Sequence, residues 1–189
     1  MQQPAIDPAR SALLIMDFQS QIVARYADDD SPLLSSAAAA IGAARRHGMH
    51  VIHVVVAFRP GFPEIDPRNR IFGAIRESGG IAPDIHPRVA PEKNDVVVTK
   101  HRVGAFMGTD LDMILRAGAI DTLVLAGVST SGVVLSTLRH AADADYRLFV
   151  LGDCCADGDP EVHTCLLDRI FPRQADVLDS TAFATALGG

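Results

Sequence analysis

Residues 11–16 read Ser-Ala-Leu-Leu-Ile-Met and stop at Asp17. Six uncharged residues with no polar alternation describe a strand covered on both faces, and such strands belong to parallel sheets flanked by helices. Five further runs repeat the pattern: residues 50–58 (HVIHVVVAF), 95–99 (DVVVT), 122–126 (TLVLA), 147–151 (RLFVL) and 175–178 (ADVL). Each is rich in β-branched residues or Leu. Helix signals separate them. Ser31-Pro32 opens an Ala-rich segment that closes at Gly48, and Thr109-Asp110 caps residues 111–117 with Gly118 as the stop. Residues 131–145 and 159–170 supply two more helices, the second opened by an Asp159 cap and Pro160. Strand and helix thus alternate, which predicts an α/β fold: three layers, α/β/α, around a six-stranded, mainly parallel, Rossmann-like sheet.

The chain has 189 residues, with 17 Lys plus Arg against 23 Asp plus Glu and a net charge of −6. With 48% hydrophobic and 21% charged residues it has an ordinary globular composition, long enough to bury a core without staples. One domain over residues 1–189 is expected. Residues 59–94 interrupt the alternation with Pro60, Gly61, Pro63, Pro67, Gly79, Gly80, Pro83, Pro87 and Pro91. They read as an irregular insertion with one helix at residues 71–76, and long insertions at this edge tend to serve function. The run from Ala37 to Ala40 reads as a tightly packed helix face.

Three cysteines, two of them adjacent as Cys154-Cys155, make no disulfide framework and suit a reducing, cytoplasmic compartment. Residues 1–10 have neither a basic nor an apolar leader segment, and no run reaches the roughly 18 apolar residues a span requires. Neither export nor membrane insertion is expected. The acidic balance, the absence of Trp and only two Tyr argue against a nucleic-acid partner, with a local basic patch around Arg68, Arg70 and Arg76 as the counter-signal. A small-molecule substrate remains.

Asp17 ends the first strand and Lys100 follows the third, so a parallel sheet brings both to its carboxyl edge, where ligands bind in such folds. The pair reads either as a strand-end salt bridge or as a proton-shuttling couple in a partly dry cleft. After the fourth strand, Gly127-Val128-Ser129-Thr130-Ser131-Gly132-Val133-Val134 runs from a turn into a helix. Its backbone N–H groups at Val128, Ser129 and Gly132 suit an oxyanion-type site; the plainer alternative is a capped turn. Ser129 sits almost as in a G-x-S-x-G elbow, but Ser131 stands at the closing position.

Three stretches together, LLIMDFQ with Asp17, VVVTKHRVGAFMGTDLD with Lys100, and LAGVSTSGVV, resemble the isochorismatase-like hydrolase superfamily across nearly the whole chain. That family includes isochorismatases, nicotinamidases and N-carbamoylsarcosine amidases. The resemblance implies a six-stranded parallel sheet and an Asp, Lys and Cys site, with Asp17 and Lys100 in the first two places. The third is altered. Where amidase members carry a thiol, in a pattern like G-V-x-T-x-x-C-V, this chain reads G-V-S-T-S-G-V-V and has Val133.

The resemblance leaves a thiol-free route open, in which protonation of a vinyl ether is followed by water addition. Asp17 would be the acid, Lys100 would hold it, and the backbone near Ser129, often preceded by a cis peptide in this family, would orient the substrate. Cys154 or Cys155 could instead be a relocated nucleophile, or simply a small buried residue. The nicotinamidase branch binds metal through an Asp-x-His set and a His after the second strand. Residues 57–62 (AFRPGF) offer no such ligands, and Asp84-Ile85-His86 lies far downstream, so neither metal nor cofactor is expected. His53 reads as a strand packing residue, His101 as cleft lining, and His47, His140 and His163 as helix-surface residues.

Gln19, Arg59, Phe62, Arg102 and Phe106 complete an expected substrate pocket, the arginines for a carboxylate and the rings as an apolar wall. A homo-oligomer is expected, with the Ala-rich helix and residues 133–138 as candidate interfaces. The expected activity is therefore hydrolysis of a small, anionic molecule by Asp17 and Lys100 without a thiol. The alternatives are a catalytically silent, ligand-binding relative or an amidase using Cys154 or Cys155.

Overall fold

The computed structural model describes residues 5–27 and 31–188. Six strands, β1 (Ser11–Met16), β2 (His50–Val56), β3 (Val96–Lys100), β4 (Thr122–Val128), β5 (Arg147–Ala156) and β6 (Asp176–Leu178), form one sheet. Every pairing is parallel and the order is β3-β2-β1-β4-β5-β6. The α/β fold expected from SALLIM is the fold observed, and β1 sits at its centre.

Side chains alternate across the sheet, so neighbouring residues of one strand enter opposite layers. Leu13 and Ile15 join Val124 and Phe149 beneath α2 (Pro32–Arg46) and α7 (Ser180–Leu187). Leu14 and Met16 join Ile52, Val54 and Leu125 beneath α4 (Leu111–Ala117) and α5 (Leu135–Asp143). Each such large side chain taken out of water contributes about 1.5–3 kcal/mol. Ala37 and Ala40 are fully buried on the packed side of α2, whereas Ala38 is half-buried and Ala39 exposed, so only part of the alanine run packs as expected, because consecutive helix residues point in different directions.

Local chemistry sets the helix ends. Ser31 Oγ accepts from the Leu33 amide, and Asp159 accepts from the amides of Glu161 and Val162 at the start of α6 (Pro160–Cys165). At α4 the bond comes from Thr109 rather than Asp110: Thr109 Oγ1 accepts from the Leu111 amide at 3.3 Å. The short α1 (Ser20–Val23) and α7 are additional to the helices read from sequence. A single π-helical turn, Thr130–Val134, precedes α5.

Two differences bear on the site. First, β5 continues to Ala156, because Gly127 and Val128 of β4 pair with Cys155 and Ala156 beyond a register shift. Cys154 and Cys155 are therefore strand residues, one in each core layer. Second, the insertion is anchored: Gln19 bridges Ile85, and α3 (Arg70–Glu77) docks through buried Phe72. Among the described residues no helix is long and apolar enough to cross a membrane.

Candidate active site

Register brings the key residues together. Met16 lies between Val54 of β2 and Gly127 of β4, and Val56 is opposite Lys100. Asp17 follows with φ of 60°, a left-handed conformation that Asp tolerates better than most residues, and its amide donates to the Val54 carbonyl. Lys100 Nζ reaches Asp17 Oδ2 at 2.9 Å and also donates to the carbonyls of Arg102 and Val103, at 3.0 and 3.1 Å. All three ammonium donors are thereby used.

The second carboxylate oxygen is different. Asp17 Oδ1 is buried with no hydrogen-bond partner. Burial pushes the Asp17 carboxyl up to about 6 from an ordinary 3.8, while the Lys100 charge and hydrogen bond pull it down. Desolvation wins, so the group sits where it can give or take a proton near neutrality.

Asp17 and Lys100 form part of a cleft of about 630 Å³ at the carboxyl edge. One wall is the turn Val128, Ser129, Ser131, Gly132 and Val133; the other is α3 with Ile71, Phe72, Ala74 and Ile75, continued by Ser78 and Ile81. Ile22, Arg25 and Tyr26 close one side, and Val56 and Val103 complete it. The Val128–Ser129 peptide is cis. Gly127 is required here, since a Cβ would lie 3.0 Å from Val134 Cγ2 and 3.2 Å from the Met16 backbone oxygen.

A family model described as the isochorismatase domain matches residues 11–182. The chain belongs to the isochorismatase family. An uncharacterised isochorismatase-family protein of Bacillus subtilis, YwoC, is 34% identical over 170 residues, 89% of each chain. The ureidoacrylate amidohydrolase RutB of Methylobacterium radiotolerans is 30% identical over 97% of this chain and 82% of its own. A solved isochorismatase-family structure from Burkholderia thailandensis superposes with a TM-score of 0.84 at 27% identity, covering both chains fully. This isochorismatase-family chain is accordingly a hydrolase by class.

Against that family frame, several expected pocket residues do other work. Gln19 is fully buried: its Nε2 donates to the carbonyls of Val56 and Ala82, and its Oε1 accepts from the Val56 amide. It ties the insertion to the sheet. Arg59 is paired with Glu64 at 2.5 Å, and Arg102 Nη1 donates to the carbonyls of Glu64 and His101. Phe62 packs near Phe58 and Gly80. Phe106 lies in the other layer, stacked on His140 at 4.4 Å. None of these five lines the cleft.

One of the three amides expected to form an oxyanion-type site, that of Gly132, is already engaged within the turn. The Gly132 amide donates to the Ser129 carbonyl at 3.3 Å, and the Ser131 amide donates to Asp157 at 2.7 Å. Val133 is buried and faces the cleft floor. Cys154 and Cys155 are buried away from that lining; burial pushes both thiols up, Cys155 to about 12. Cys165 is exposed on α6.

Among the described residues no group of three or more His, Cys, Asp or Glu could hold a metal ion. His53 is buried as expected, with Nε2 3.4 Å from Asp95. His101 bonds through Nδ1 to the Ala57 carbonyl at 2.5 Å. His163 is not a free surface residue: its Nδ1 meets buried Thr130 Oγ1 at 2.8 Å. Arg25, Tyr26 and Asp157 are site residues that sequence reasoning missed. A polar residue one short turn beyond the strand-final Asp was the available signal for Arg25.

Proposed function

We propose that the chain hydrolyses a small anionic molecule by acid–base chemistry of Asp17, supported by Lys100 and without a thiol nucleophile. One observation carries this reading: a carboxyl with Oδ2 fixed by Lys100 and Oδ1 unpartnered, at the floor of a cleft. A proton on Oδ1 is the acid. For a vinyl ether, Asp17 gives that proton to the alkene carbon, and the ether oxygen stabilises the resulting cation. Water adds to the cation and returns a proton to Asp17. The adduct then splits into a carbonyl compound and an alcohol, so one water is consumed and the enzyme is restored.

Lys100 stabilises the carboxylate left after proton transfer and holds its orientation, since its three donors fix it to Asp17 and two carbonyls. Val133, which the motif resemblance matches to the thiol of amidase members, supplies only an apolar wall. An enzyme without that thiol is better suited to a reaction that needs no acyl intermediate.

The relative named a ureidoacrylate amidohydrolase favours a second reading, C–N bond hydrolysis. Asp17 as carboxylate would take a proton from the attacking water and pass it to the departing nitrogen. Cys154 and Cys155 are poor candidates for that chemistry, because a buried thiol with a raised pKa supplies little thiolate. The carboxylate implied by the word ureidoacrylate is also the support for an anionic substrate.

Wild type and Asp17→Asn assayed against vinyl ethers, amides and ureides, with and without carboxylates, test the proposal. At least one class should turn over, with kcat reduced about 10²- to 10⁴-fold in the variant. Equal turnover by the variant defeats the acid–base role. Binding without turnover in every class identifies a silent relative instead.

A further inference from the structure

The cleft has two cationic side chains in its lining, Lys100 and Arg25. Lys100 cannot meet a substrate anion with a free donor, since Asp17 and two carbonyls take all three. The amides of Ser131 and Gly132 are committed within the protein. Of the insertion's arginines, Arg59 pairs with Glu64 and Arg68 with Asp66, and neither these nor Arg70 and Arg76 line the cleft. Of the two cationic side chains in the lining, Arg25 is the one with donors to spare. It follows α1, is exposed, and makes no ion pair or side-chain hydrogen bond among the described residues.

We propose that Arg25 is the carboxylate anchor of this cleft, holding the substrate's anionic end at the mouth while its cleavable bond reaches Asp17. This deepens the reading above and rests on it. Charge placement argues the same way. A substrate carboxylate at the floor would face Asp17, a second carboxyl in a dry setting, and like charges there are costly. At the mouth it meets a planar guanidinium that can bond it through two parallel N–H groups. Ile22, Phe72, Ile75 and Val133 give the lining an apolar stretch, beside the hydroxyls of Ser78, Ser129 and Ser131, which fits a short hydrocarbon link. The substrate class is therefore a compact monocarboxylate whose reacting group lies at the opposite end.

The test separates binding from chemistry with unreactive probes. Titration calorimetry compares 2-ethoxypropanoate, which has a carboxylate and no alkene to protonate, with the neutral alcohol 2-ethoxypropan-1-ol, neither of them a vinyl ether, amide or ureide, on wild type, Arg25→Gln and Arg25→Lys. Wild type should prefer the carboxylate about tenfold, the value of one charge-assisted contact at a partly exposed site. Arg25→Gln should lose that preference and Arg25→Lys should regain part of it. The proposal is overturned if wild type binds neither probe, if it shows no preference, or if Arg25→Gln keeps the preference. Asp17-dependent turnover with no Arg25-dependent preference removes the anchor and leaves the acid–base reading intact. The reverse pattern keeps the anchor and removes the acid–base reading.

Discussion

Lys100 Nζ lies 2.9 Å from Asp17 Oδ2, and the other oxygen of the same carboxyl, Oδ1, is buried without a partner. Under the proposed chemistry the two oxygens have different tasks: one is restrained by Lys100, the other exchanges the proton. A structural salt bridge would be expected to satisfy both, because leaving a buried acceptor unpaired costs about 1–3 kcal/mol. The asymmetry is what a working acid or base requires.

Removing the lysine should expose its electrostatic part. Lys100 lowers the Asp17 pKa against the rise caused by burial, so in Lys100→Met the carboxyl should titrate above 6. The sign for stability follows. A folded pKa above the unfolded 3.8 means the folded state binds more protons across that window, so stability falls as pH rises through it. The variant should extend this loss to higher pH, with a lower Tm at pH 8 than at pH 6. Equal Tm values, read by scanning calorimetry, would show that Lys100 does not set the Asp17 charge.

The thiols should be bystanders. Iodoacetamide should label exposed Cys165 and leave buried Cys154 and Cys155 unmodified, with activity retained, as peptide mass spectrometry alongside the assay would reveal. Loss of activity in step with labelling of Cys154 or Cys155 would restore the relocated-nucleophile reading. Val133→Cys should fold, since the swap removes little volume, with a cost of about 1 kcal/mol. It should also make the protein's cleft reactive to iodoacetamide.

Gln19 should matter through position rather than contact with substrate. Its side chain joins Val56 and Ala82 by three hydrogen bonds, so Gln19→Ala strands buried backbone groups and should cost about 2–4 kcal/mol. Hydrogen exchange should rise selectively at residues 82–86. Unchanged exchange there would show that the insertion is held by Phe72 and its neighbours instead.

Much of this was legible in the chain. SALLIM and Asp17 announce a buried strand and its polar end, and Lys100 ends a second run, so both arrive at one sheet edge by topology alone. Pocket lining was not legible, because it depends on how the insertion folds back. Arg59 and Arg102 look like carboxylate binders until Glu64 and the carbonyls of Glu64 and His101 occupy them. Phe106 looks like a wall until His140 stacks on it from α5. Cys154 and Cys155 seemed to follow a strand that in fact runs through them, a register matter that Gly152 and Asp153 disguise in the sequence. The helix at α7 was announced only by an Asp179 cap ahead of apolar residues.

The pH dependence of kcat/KM on a hydrolysable substrate tests the acid role of Asp17 most directly. With the carboxyl titrating at about 6, the rate should be level below that pH and fall tenfold per unit above it, and this limb should disappear in Asp17→Asn. A profile that stays flat or rises from pH 5 to 8, or a limb that survives in Asp17→Asn, would contradict it.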